Sequence, residues 1–134
     1  MRLNPTYYAQ SFRSIAGASN ALSSTAVDIA VFDPTKFGAN PGGNLLSLRA
    51  VNPNSTLCYL KFYDKAATSV NPASDAPIAT LPLQAGPGSL LFLRDLQDGI
   101  LHYKTALSVR CVTGSADTDA TSPSTAPTVE AEYL

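Results

Sequence analysis

The chain has 134 residues, nine Lys/Arg against ten Asp/Glu for a net charge of −1, and only 14% charged residues. That length makes one domain able to bury roughly two-thirds of its unfolded surface, so neither a metal nor a disulfide is needed for folding. The basic residues are scattered, which excludes an electrostatic groove for nucleic acid, and no run approaches the roughly 18 consecutive apolar residues of a membrane span.

Residues 1–25 differ from the rest. Tyr7, Tyr8, Phe12, Ile15 and Leu22 are irregularly spaced in a Ser/Ala/Asn-rich background, a pattern that fits one short helix or an extended arm. Asn4, Pro5, Thr6 and Gln10 stand where a signal peptide needs an unbroken apolar core, so the sequence points to synthesis in a cytoplasm. Tyr7, Tyr8, Phe12 and Ile15 carry more apolar surface than suits a solvated segment, yet their spacing makes no amphipathic helix. They are therefore expected to bind a partner, a neighbouring subunit or an underlying shell.

From residue 26 to 134 short apolar runs alternate with turn signals, the pattern of a two-sheet antiparallel β-sandwich. The runs are Ala26–Phe32, Asn44–Val51, Leu57–Tyr63, Ile78–Leu83, Ser89–Leu93, Gly99–Tyr103, Ala106–Thr113 and Thr128–Tyr133. The clearest is the segment LLSLRAVNPNSTLCYLKFY, which reads as two strands around an Asn-Pro-Asn-Ser reversal. In it Cys58, Leu60 and Phe62 alternate with Tyr59, Lys61 and Tyr63, one buried face against one wetter face. Leu46, Leu48, Leu91, Leu107, Val109 and Cys111 complete the expected core. Pro82 removes a ladder donor and places its strand at an edge or bulge. The loops Asp64–Pro77 and Gly114–Pro127 are small and polar, and read as solvated excursions or partner contacts. Eight strands with long crossovers favour a jelly roll over a small closed barrel.

No catalytic constellation emerges. His102 has no flanking nucleophile or orienting carboxylate and reads as a surface or edge histidine. Cys58 and Cys111 share phase with apolar neighbours and read as buried free thiols, with a disulfide between them as the alternative, and with one histidine they match no zinc spacing. Asp117 and Asp119 alternate on a loop, a weak and incomplete calcium pattern, so no metal and no other cofactor is expected. Asn54-Ser55-Thr56 fits a glycosylation acceptor but reads as turn chemistry. The six tyrosines raise a second reading, a carbohydrate-binding module that stacks sugars on exposed rings.

Taken together, LRAVNPNSTLCYLKFYDKA, APIATLPLQAG, GILHYKTALSVRCV and VTGSADTDA, followed by a hydrophobic last strand, resemble small structural proteins of tailed-bacteriophage virions. The similarity runs from about Asn44 to Leu134 and rests on the order of elements. It implies a non-enzymatic β-sandwich building block, assembled in the host cytoplasm and carried on the virion. The capsid decoration or cement proteins come first, and the tail or baseplate components second. It further implies a homo-oligomer, a homotrimer at threefold positions, bound to the major capsid protein or another virion protein. The low charge is consistent with this, because desolvating Lys or Glu between packed copies is costly.

Overall fold

Alternation alone places most of the strands. The computed structural model describes residues 10–12, 14–15, 18–19, 21–31, 43–86, 88–95 and 97–133. In chain order its strands are β1 (Gln10–Phe12), β2 (Ser14–Ile15), β3 (Ala18–Ser19), β4 (Val27–Val31), β5 (Gly43–Asn52), β6 (Cys58–Tyr63), β7 (Ala79–Leu83), β8 (Ser89–Arg94), β9 (Leu101–Tyr103), β10 (Ala106–Val112) and β11 (Thr128–Tyr133). Each of the eight expected runs contains a strand. The described helix is a single 3-10 turn at Ala67–Ser69.

Two antiparallel sheets share one core. One has the order β1-β11-β5-β8, with β9 also paired to β5, and the other the order β4-β10-β6-β7. Leu45, Leu48, Ala50, Val129 and Ala131 from the first meet Ile29, Leu60, Phe62, Leu107, Val109 and Cys111 from the second. The fold is therefore an all-β sandwich. Two core expectations shift. Leu46 is buried but lies outside the shared core, while Leu45 is inside it. The cause is a register irregularity between Glu132 and Tyr133, where β11 steps from Ser47 to Leu45 and leaves Leu46 as the extra residue. Leu91 is only half-buried at the sheet edge, packed against the core rather than within it.

The Asn-Pro-Asn-Ser reversal is a corner and not a hairpin. β5 and β6 do not pair with each other; they lie in opposite sheets, so the turn carries the chain across the sandwich. Asn52 and Asn54 hold the corner, both buried. The Asn52 amide donates to the carbonyls of Thr56 (3.0 Å), Leu83 (3.2 Å) and Gln84 (3.0 Å). Its Oδ1 accepts from the backbone N–H and the side-chain amide of Asn54, both at 2.9 Å. Asn54 in turn donates to Thr125 O and accepts from Ser124 Oγ and Thr125 N. Three loops are thus tied at one end of the sandwich by two side chains.

Strand pairing begins before the expected division at residue 25. β1 adds to β11 in register Gln10 to Tyr133, and Leu22 is a core residue whose N–H donates to Pro127 O at 2.7 Å. The backbones at Phe12 and Ile15 belong to short antiparallel ladders of this same chain.

A carboxylate clasps the other end of β6. Asp64 accepts the N–H groups of Lys104 (2.9 Å), Thr105 (2.8 Å) and Ala106 (3.3 Å). Burial works against the ionised form, but the three donors outweigh it and hold the carboxyl below its ordinary value. With the folded pKa below the unfolded one, this contribution is complete above the ordinary carboxylate range and is lost as pH falls through the folded value. Thermal melts taken from pH 6 down to pH 2 are expected to fall more steeply for the wild type than for Asp64→Asn; parallel curves would rule the clasp out as an acid-sensitive element.

Candidate interaction surface

On the β4-β10-β6-β7 sheet the outward face is covered over β10 and β6, while Thr80 and Pro82 on β7 are exposed. Every residue of β10 is buried, and β6 is buried at all positions but Tyr59. Lys61 and Arg110 sit directly opposite each other on adjacent strands, both fully buried, beside Tyr63. Arg110 donates through Nε to the Tyr63 hydroxyl (2.8 Å) and through its two terminal nitrogens to the carbonyls of Asp119 (2.6 Å) and Asp117 (2.9 Å). The Lys61 ammonium donates to Ala116 O. The loop after β10 therefore folds back and caps two like charges with carbonyl dipoles, relieving a repulsion that would otherwise destabilise the pair. Burial and the neighbouring guanidinium lower the Lys61 pKa, with Asp119 and Asp117 acting the other way.

In this arrangement Asp117 and Asp119 hold the loop over Arg110 through their backbone carbonyls. The Asp119 carboxylate accepts the Gly114 N–H at 2.8 Å and the Thr121 hydroxyl at 3.1 Å. A Cβ at position 114 would meet Asp119 Cγ at 2.8 Å, so glycine is required for that approach. Both backbone carbonyls are spent on Arg110. Two positive charges lie beneath the loop and oppose a bound cation. Among the described residues no group of three or more His, Cys, Asp or Glu side chains is placed to hold a metal.

The remaining candidates are distributed through the fold rather than gathered. His102 is exposed on β9 opposite Asn44. Cys58 and Cys111 are buried and unbridged. The interaction with the Cys58 thiol, and after it burial, push the Cys111 thiol up, while the same interaction lowers Cys58. Tyr63 and Tyr103 are buried and Tyr59 and Tyr133 half-buried, so the four described tyrosines form no exposed stacking platform. Tyr7 and Tyr8 lie outside the described residues, as do the side chains of Phe12 and Ile15.

What the sequence did not single out is the outward face of the other sheet. Leu90 and Phe92, two residues apart on β8, are 54% and 56% exposed. Across the sheet they align with Val51 and Arg49 on β5, and those with Thr128 and Glu130 on β11. Arg49, Val51, Thr128 and Glu130 line an open groove. The one sequence signal was the unbroken apolar run Leu90–Leu93, whose both-sided hydrophobicity is unusual for an edge strand. No helix among the described residues is long and apolar enough to cross a membrane. Comparisons with protein-family models, with curated proteins and with solved structures find no match to this chain.

Proposed function

We propose that the chain is a non-enzymatic structural protein of a tailed-bacteriophage virion, a capsid decoration or cement protein that binds the major capsid protein and stabilises the head. The strand order carries this reading. The first strand lies beside the last, in the order β1-β11-β5-β8, and faces β4-β10-β6-β7. That order supports a jelly roll of eight strands wound as two Greek keys, with β9 an addition on β5. Viral capsid domains and lectins both use this architecture. Since a fold alone does not select a function, the choice between them rests on the surface. The described tyrosines are buried or half-buried, and two of the three exposed large apolar side chains, Leu90 and Phe92, sit together on the edge strand β8, which favours packing against protein over stacking against sugar. A tail or baseplate component is the second reading, because the same architecture suits that station. The homotrimer and the partner contacts of Tyr7, Tyr8, Phe12 and Ile15 belong to this proposal.

The test is attachment. Purified protein mixed with particles of the virus that encodes it is expected to co-sediment with heads and to add density on the shell in a low-resolution map. Density on the tail would move the assignment to the second reading, and no density on any particle would overturn both. A variant lacking residues 1–9 keeps β1 and is expected to stay folded while losing attachment.

A further inference from the structure

We infer that the outward face of the β8-β5-β11 layer is a self-association surface whose occupant is a second copy of this chain. Two of the three exposed large hydrophobic side chains of the described residues, Leu90 and Phe92, project from this one face. They sit on a strand whose outer edge has no described ladder partner, since β8 pairs only with β5. The opposite sheet treats its own edge differently: β7 carries Pro82, which removes a donor and blunts the edge. β8 has no proline, no lysine and a single charge at its end, Arg94, and so lacks the devices that keep an edge strand apart from other chains.

The charges say what covers it. In register across the sheet run the rows Phe92, Arg49, Glu130 and Arg94, Ser47, Glu132. The basic side chains lie toward β8 and β5, and the acidic ones on β11. A single-sign partner such as an anionic lipid surface or a nucleic acid would meet half of these charges with the wrong sign. A second copy turned about a two-fold axis parallel to the strands sets Arg49 of each chain against Glu130 of the other, which is the self-complementarity an isologous contact requires. Among the described residues no ion pair joins Arg49 to Glu130, and both line the open groove. The same turn brings Leu90 and Phe92 out of water at the margins of the contact. Such a two-fold contact joins copies in pairs and is separate from any threefold grouping. It shares only self-association with the virion reading and needs no particle to be seen.

The experiment is sedimentation velocity on purified protein over a concentration series, with circular dichroism melts as the folding control. The wild type is expected to shift from monomer to dimer with concentration. Leu90→Ser/Phe92→Ser is expected to stay monomeric with an unchanged spectrum. Arg49→Glu is expected to weaken the dimer at least tenfold, and Arg49→Glu/Glu130→Arg to restore it, because each exchanged charge again meets its opposite across the axis. Raised salt weakens the wild-type dimer if these pairs contribute. A wild type that remains monomeric throughout, or a charge-exchanged double variant no better than the single, overturns the inference. Loss of particle binding with the dimer intact would count against the virion reading alone.

Discussion

Replacing Phe62 with Ala is expected to destabilise the protein by about 3–5 kcal/mol, the largest effect of any single core change. Phe62 is fully buried and lies at the centre of the shared core, opposite Val109 on β10 and Ala79 on β7. Truncation removes the transfer energy of a large ring and leaves a cavity between two sheets, which cannot slide together because their strands are fixed by ladders on either side. Equilibrium urea unfolding checks it. The midpoint should fall with an unchanged slope, and a loss below about 1.5 kcal/mol would mean that the core repacks freely at this position.

Asn52→Ala is expected to cost about 3 kcal/mol or more, although the residue is polar and lies in a turn. The change strips three carbonyls of their donor and two Asn54 donors of their acceptor. A buried group left without a partner costs roughly 1–3 kcal/mol, and bonds sharing one hub do not add in full. Asn52→Asp separates the two halves of the network: it keeps the acceptor that Asn54 uses but removes the donors and introduces a buried charge, so it should also be destabilised, and less so at low pH. If Asn52→Ala unfolded at the wild-type midpoint, the corner would be held by packing and not by hydrogen bonds.

The strands were legible because burial on one face writes period two into the sequence, and Pro82 was legible as an edge residue because a missing N–H is a local fact. Partner choice is not local. The run from Leu45 to Tyr63 has the look of a hairpin, but which sheet each strand joins depends on β11 and β10, more than forty residues further on in each case. Lys61 was misread for a related reason. Alternation with Leu60 and Phe62 marks it as facing away from the core, and it does, but the outward side is roofed by a loop whose small polar residues gave no sign of folding back. A cation set between aromatic and apolar residues in CYLKFY, with a second in SVRCV, is the signal that could have suggested a shared lid. Asp117 and Asp119 were noticed for their side chains, whereas it is their backbone carbonyls that hold Arg110.

The pairing of β1 with β11 and of β4 with β10 has a consequence for how the protein comes off the ribosome. Neither early strand has its partner until the late ones have been made. At about 5–20 residues per second, β4 waits several seconds for β10 to emerge. During that interval Ile29 and Ala30 on β4 have no strand to hold them in their sheet, and β5 and β6 face each other without β11 and β10 beside them. Folding of so non-local a topology is slow even once every strand has been made, so the nascent protein passes through a stage in which its future core is open to other chains, and its yield depends on how quickly β10 and β11 are delivered.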